Sequence, residues 1–289
     1  MPDALLWLSS QYYRFVVEDS PVAGVPALAD LAIRLEEACP RRWGGVELLP
    51  SVDSTNRWLL DSPVLVPDRF QVCVAQHQTA GRGRRGRAWV SAGRASLTFS
   101  VARALRPRER PNPALALAAG VGLARGLAAC GVSGFELKWP NDLVTPAGAK
   151  LGGILVEARN PSAERAAAIV VGVGLNLADA AALGVDRPVA NLSQFSGAPG
   201  VPVSGLLASI LCALADAWDG FAQSGLAPFV QEYARMDHLA GRRVRVADSG
   251  EEGRVVGIEV RDGALLLERA GRRSRLYSGD VSVRVVADG

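Results

Sequence analysis

The chain has 289 residues, 49% of them hydrophobic, and a formal net charge of only +3. That length holds one large domain and a small one with ample apolar content for a core, and so weak a charge gives no whole-molecule field for nucleic acid or membrane. The opening MPDALLWLSSQYY lacks the basic region and long apolar stretch of a signal peptide, and no apolar run approaches a bilayer span. Cys39, Cys73, Cys130 and Cys212 are too scattered for a zinc site. A cytoplasmic protein with free, buried thiols is expected.

In chain order, residues 1–44 form a leader with one helix, VPALADLAIRLEEACP, too short for a complete DNA-reading domain. Residues 45–237 mix strands and helices. VELLPSV, QVCVAQHQ and ASLTFSVAR read as short strands, and NPALALAAGVGLARGLAACG as a long buried helix. GFELKWPNDLV, KLGGILVEAR and AAAIVVGVGLNLA follow as neighbouring strands, and SGLLASILCALADAWDGFAQSG with APFVQEYARMDH as closing helices. From 238 to 289 the alternation has period two, with turn signals at DSGEEG, RDG and AGRR. About five short strands there predict a small barrel. The elements together predict an α+β domain with a β-barrel cap.

The segment QHQTAGRGRRGRAWVS, residues 76–91, has the wrong chemistry for a core element, because guanidinium groups are costly to bury unpaired and glycine weakens helices and strands. It reads as a loop. Gly81, Gly83 and Gly86 allow tight turns and close approach, while Arg82, Arg84, Arg85 and Arg87 offer planar forks for phosphate or carboxylate. A solvated basic loop would share the arginines but not the alternating glycines. Gln78 on one flank can bond a neutral polar head group and Trp89 on the other can cover a flat ring. Such a loop should be mobile alone and order around an anion.

DSTN, residues 53–56, supplies favoured N-cap residues and also places the hydroxyls of Ser54 and Thr55 at a helix start. In KWPND, Pro140 interrupts a strand and leaves Asn141 and Asp142 at its mouth, although a plain turn would look the same. KLGGILVEA puts paired glycines, among them Gly153, inside an apolar strand, with Lys150 as a compact charge that could touch a carboxylate and a phosphate together. An edge lysine that discourages aggregation is the bland alternative. GVGLN similarly trades side chains for room at Gly172 and ends on the Asn176 amide. Neither a GxxxxGK[ST] loop nor a strand–GxGxxG–helix is present. A groove with a neutral polar end, an anion-binding middle and an aromatic end suits a small acid joined to a nucleotide.

STN, GRGRRGRAW, KWPNDL, KLGGILVE and GVGLN, in this order, with SGDVSVR near the end, resemble the biotin protein ligases from about residue 48 onward. The resemblance implies an α+β fold shared with class II aminoacyl-tRNA synthetases and lipoate ligases, a mixed sheet with helices, and a small C-terminal SH3-like β-barrel. It implies ATP, carried with Mg2+, and biotin as substrates, no tightly bound metal or prosthetic group, and a biotin carboxyl carrier domain of an acyl-CoA or pyruvate carboxylase as acceptor. On the same resemblance Ser54, Thr55 and Gln78 hold the ureido head of biotin, and Gly81, Arg82 and Arg84 fold over biotin and phosphate. Gly153 and Gly172 join the biotin set. Arg87 and Trp89 face the nucleotide with Asn141 and Asp142, and Asn176 contacts adenine. Lys150, Arg84 and Arg87 act in catalysis by offsetting negative charge in a site closed to water. Bifunctional members carry an N-terminal winged helix-turn-helix, whereas this leader shows no such helix pair, so a ligase without repressor activity is expected, as a monomer or weak homodimer without nucleic-acid or membrane partners. Three rivals stand beside this reading: a lipoate or octanoate ligase of the same fold, a biotin sensor without catalysis, and a nucleic-acid binder that uses the loop arginines with Arg242, Arg243, Arg272, Arg273 and Arg275.

Overall fold

In the computed structural model, residues 30–63, 65–91, 95–179, 181, 184–185, 187–195, 197, 200–278 and 283–286 are described. Most of the leader, the first part of its expected helix and part of SGDVSVR lie outside them.

Two strands, β3 (Ser96–Ala104) and β7 (Ala168–Asn176), are buried at every position. They pair antiparallel along their whole length, from Ser96 opposite Asn176 to Ala104 opposite Ala168. With β1 (Trp43–Val52), β2 (Phe70–Gln78), β4 (Glu136–Lys138), β5 (Asp142–Val144) and β6 (Lys150–Arg159) they form a seven-stranded sheet in the order β1-β2-β3-β7-β6-β5-β4. Only the β1–β2 pair is parallel. A parallel connection needs a crossover, and α2 (Thr55–Asp61) lies within it.

Because side chains alternate across a strand, the two faces of this sheet carry different residues. Ile169, Val171, Val173 and Leu175 of β7 share one core with Leu97, Phe99 and Val101 of β3 and with the helices α1 (Leu31–Ala38), α3 (Leu115–Ala129), α4 (Val203–Ser224) and α5 (Val230–Met236). On the other face Ala168 and Val170 meet Ala102, Ala104 and Leu59 of α2 in a small cluster. Helix α1 and Trp43 fall within the stretch counted as leader, yet Leu31, Leu35 and Trp43 are buried in the main core. The expectation that no apolar run approaches a bilayer span needs correction at α4, whose 22 residues are long and apolar enough by length and composition. Here that apolarity serves packing: Leu207, Ile210, Leu211, Leu214 and Trp218 are buried. A Cβ on Gly126 of α3 would lie 2.5 Å from the Ile210 Cα, so α3 and α4 meet backbone to backbone.

The tail forms a five-stranded antiparallel sheet, β8 (Arg243–Val246), β9 (Glu252–Ile258), β10 (Leu265–Arg269), β11 (Arg272–Leu276) and β12 (Val283–Val285), in the order β11-β10-β9-β8-β12. Its period-two pattern works as expected in β8, where Val244 and Val246 are buried between exposed Arg243 and Arg245. The same KWPND segment that ends β4 docks this sheet: the buried Trp139 donates its indole N–H to the Gly263 carbonyl at 2.9 Å.

Candidate active site

A cleft of about 580 Å³ opens where the start of α2, the loop after β2, strands β5 and β6, and Arg187–Pro188 converge, and Ala247 and Arg284 of the C-terminal sheet reach its rim. Ser54, Thr55, Gln78, Arg82, Arg84, Arg87, Trp89, Asn141, Asp142, Lys150, Gly153 and Gly172 all line it. Strand pairing brings them together from separate parts of the chain.

Two residues selected from the sequence are not among the lining residues. Gly81 closes the loop instead: its carbonyl accepts the Trp89 N–H at 2.9 Å, and a Cβ there would sit 2.5 Å from the Trp89 carbonyl. Asn176 is buried, and its amide donates to the carbonyls of Lys150 and Ala190, each at 3.1 Å. That amide ties the start of β6 to the segment after Pro188.

The polar end of the cleft is a buried hydrogen-bonded cluster. The Thr55 N–H donates to Gln78 Oε1 at 2.8 Å, and the Thr55 and Ser100 hydroxyls share a bond at 2.6 Å. Ser100 also bonds Asn56 Oδ1 at 2.6 Å, and Asn56 Nδ2 donates to Glu157 Oε2 at 2.7 Å. Ser54, Thr55, Asn56 and Ser100 are all buried. Burying the polar side chains of Thr55, Asn56 and Ser100 is tolerable because each finds a partner.

Over this end lies the arginine–glycine loop, which carries its own hairpin. Trp89 N–H donates to Gly81 O, Gly83 N–H donates to Arg87 O at 2.7 Å, and Arg85 and Gly86 turn the chain with φ of 59° and 69°. The arginines diverge. Arg85 makes a two-pronged pair with Asp248 in the turn between β8 and β9, both bonds 3.0 Å. Arg84 points inward, where its Nη1 reaches Asn141 Oδ1 at a long 3.4 Å and its buried Nη2 has no partner. Desolvation lowers the Arg84 pKa from its ordinary value, as expected for a cation awaiting a counter-charge.

Lys150 stands at the first position of β6, its Nζ 2.5 Å from Asp142 Oδ1 and 5.8 Å from the centroid of the Trp89 ring. Burial pushes its pKa down, and Asp142 pulls it part of the way back. Trp89 packs on β7 where Gly174 leaves space, for a Cβ there would lie 2.3 Å from the indole Cε2. The indole N–H is buried without a partner. Gly172 clears room for protein rather than for ligand: its Cβ would fall 2.1 Å from Asn56 Oδ1.

Sequence reasoning did not single out Asn56, Ser100, Glu157, Gly174 or Arg187. Period-two reading of ASLTFSVAR would have found Thr98 and Ser100 on one face of an otherwise apolar strand, and Gly174 stands inside the quoted GVGLN. Arg187 sits in a stretch without any motif.

The model of the Biotin/lipoate A/B protein ligase family matches residues 48–176, and that of the Biotin protein ligase C terminal domain matches residues 240–284. The Bifunctional ligase/repressor BirA of Escherichia coli is 35% identical over 246 residues, which cover 83% of this chain and 74% of that protein. The Biotin–[acetyl-CoA-carboxylase] ligase of Mycobacterium tuberculosis is 34% identical over 249 residues, 83% of this chain and 89% of that one. Among solved structures, biotin protein ligase from Aquifex aeolicus in complex with biotin and ATP superposes with a TM-score of 0.69 at 25% identity, covering 83% of this chain and 99% of its own. The chain belongs to the biotin protein ligase family and is an enzyme of the ligase class.

Proposed function

We propose that this chain activates biotin with ATP and passes it to a lysine of a biotin carboxyl carrier domain, with the cleft as the site of both steps. In the first, a carboxylate oxygen of biotin attacks the α-phosphorus of Mg-ATP; the bond from that phosphorus to the α,β-bridging oxygen breaks, and pyrophosphate leaves. In the second, the acceptor amine attacks the acyl carbon of biotinyl-5′-AMP, AMP departs with the bonding pair, and the amine loses a proton to give the amide. The reading assigns residues 45–237, with the packed segment 30–44, to catalysis, and 238–289 to an SH3-like cap. It places the enzyme in the cytoplasm, where ATP and unmodified carrier domains are at hand.

The observation that carries this reading is the partly buried Lys150 ammonium, held by Asp142 at 2.5 Å in the same cleft as the Arg84 guanidinium with its unpartnered Nη2. Cations fixed in place before reaction stabilise charge that builds up in the transition state without reorganising. Ser54, Thr55 and Gln78 would receive the neutral ureido head, with Gly172 behind them making room for Asn56 and Gly153 farther along the biotin beside Lys150. Arg82, Arg84 and the loop would close over the carboxylate and α-phosphate, and Arg87, Trp89, Asn141 and Asp142 would face the nucleotide. Mg2+ would enter bound to ATP; among the described residues no group of three or more His, Cys, Asp or Glu could hold a metal by itself. Asn176 and Gly81 act one step back, through Lys150 and the loop.

Incubating the protein with Mg-ATP and, separately, biotin, lipoate or octanoate, and reading acyl-adenylates by mass spectrometry, tests the first step. Biotinyl-adenylate should form with the wild type and fall about 10²- to 10³-fold in Lys150→Ala. Lipoyl- or octanoyl-adenylate alone would move the chain to the lipoate branch, and no adenylate from any acid would sink the proposal.

A further inference from the structure

The hydrogen-bonded cluster at the polar end has a direction that can be deduced from its acceptors. Asn56 Nδ2 faces Glu157 Oε2 at 2.7 Å and the Leu155 carbonyl at 3.3 Å. A carboxylate and a carbonyl only accept, so the amide nitrogen and not the oxygen must point at them. Asn56 Oδ1 is then an acceptor, and the Ser100 hydroxyl 2.6 Å away must give it a proton. Ser100 has no second proton, so the 2.6 Å contact between Ser100 Oγ and Thr55 Oγ1 requires the Thr55 hydroxyl to donate. The competing acceptor, Gln78 Oε1, lies farther from that hydroxyl, at 3.2 Å, and already takes the Thr55 backbone N–H at 2.8 Å. Thr55, which lines the cleft, has thus spent its only proton on the protein.

We infer that Glu157, acting through Asn56 and Ser100, makes Thr55 an acceptor-only group toward the ligand and so selects a head group that offers an N–H there. Glu157 and Ser100 are positioning residues in this scheme, since neither needs to touch the ligand. A cyclic urea meets the requirement, with N–H donors on both sides of its carbonyl; an ether oxygen, a thioether or a dithiolane does not. The scheme rests on the reading of this end of the cleft as the ureido pocket, and it adds the reason why that pocket distinguishes a donor from an acceptor. Gly172 belongs to the same device, because the Asn56 amide fills the space its missing side chain leaves.

The test is calorimetric binding of biotin and of its two cyclic-carbamate analogues, in each of which one ureido N–H is replaced by oxygen. The wild type should prefer biotin to at least one analogue by on the order of 10²-fold or more, because a site built to accept an N–H is left facing a lone pair. In Glu157→Gln an amide nitrogen can donate back to Asn56, the Asn56–Ser100–Thr55 bonds can reverse at the loss of the long 3.3 Å bond to the Leu155 carbonyl, and Thr55 becomes free to donate to the ring oxygen. The preference should fall about tenfold or more, through tighter analogue binding, while KM for ATP stays within about twofold. Ser100→Ala, which frees the Thr55 proton by another route, should move the ratio in the same direction. An unchanged ratio in both variants, or equal weakening of biotin and analogue, would overturn the directional scheme while leaving biotin as the ligand. A wild type that binds no biotin would sink the ureido pocket itself, and this inference with it.

Discussion

The central sheet has one face that the chain has finished and one that it has left open. Toward α1, α3 and α4, strands β3 and β7 present Leu97, Phe99, Val101, Ile169, Val171, Val173 and Leu175, and the helices complete the packing. Toward the cleft the same strands present Thr98, Ser100, Gly172 and Gly174, small or polar groups that leave space and hydrogen-bonding capacity. Two arginines show the difference. Arg103 is 0% exposed on the helical side, bonded to Glu109 at 2.7 and 2.8 Å and stacked 5.2 Å from the Trp218 ring centroid. Arg84 is turned into the cleft and keeps a buried nitrogen without a partner. Arg103 too has one buried nitrogen, Nε, without a partner, but the Glu109 carboxylate meets its charge. A desolvated cation held by a carboxylate serves the fold, whereas one without such a pair destabilises the fold locally and holds binding capacity for an anion.

The strongest way to break this contrast is to make Arg103 resemble Arg84. Glu109→Ala leaves an unpaired cation in the core and should cost about 3 kcal/mol or more of stability in a denaturant titration. Biotinyl-adenylate formation by the folded fraction should be nearly unchanged, because the pair stands on the far face of the sheet. Arg103→Met together with Glu109→Ala, which removes the stranded charge, should recover most of that loss. A loss below about 1 kcal/mol in Glu109→Ala would show that Arg103 is not held by its partner in the way the geometry indicates.

A smaller effect is expected from filling space on the open face. In Gly174→Ala the new methyl would fall 2.3 Å from the Trp89 indole, so the ring must move off the strand. KM for ATP should rise roughly tenfold, with biotin affinity changed much less. Equal losses for both substrates would mean that Trp89 supports the cleft as a whole and does not serve the nucleotide in particular.

The finished face was largely legible from hydrophobic periodicity. Strands β1 to β7, helices α3 and α4 and the period-two tail all stand within a few residues of where alternation and apolar spacing place them. The arginine–glycine loop and Lys150 were legible because such residues have few reasons to cluster in a core, and the interruption of KWPND between β4 and β5 followed from Pro140. The open face was harder to read. Asn56, Ser100 and Glu157 come from three separate elements and meet only through the pairing of β3, β7 and β6 and the packing of α2 on them, and each alone is an ordinary polar residue. Asn176 and Gly81 carried a visible signal, but the signal was of a constrained position, and the structure spends both on backbone contacts. A partner of Arg85 is Asp248, in the turn between β8 and β9, which no local pattern in the loop announces.

The finest test separates what the open face costs the fold from what it does for chemistry. Lys150 is partly buried beside Asp142; desolvation, with Arg87 and Arg187 adding repulsion, holds its folded pKa below the ordinary 10.5. An unfolded chain therefore binds more protons than the folded one between the depressed value and 10.5, so through this group stability should rise with pH across that window. Activity should move the other way, because deprotonation removes the cation proposed to stabilise charge at phosphorus. Subtracting the profile of Lys150→Met from that of the wild type isolates the group from other alkaline titrations. Asp142→Asn then sharpens the point: without the carboxylate that raises the Lys150 pKa, the alkaline fall in adenylation should begin at lower pH. If stability and activity instead decline together in the difference profile, Lys150 is a paired structural ion like Arg103, and the line drawn between the two faces does not pass through it.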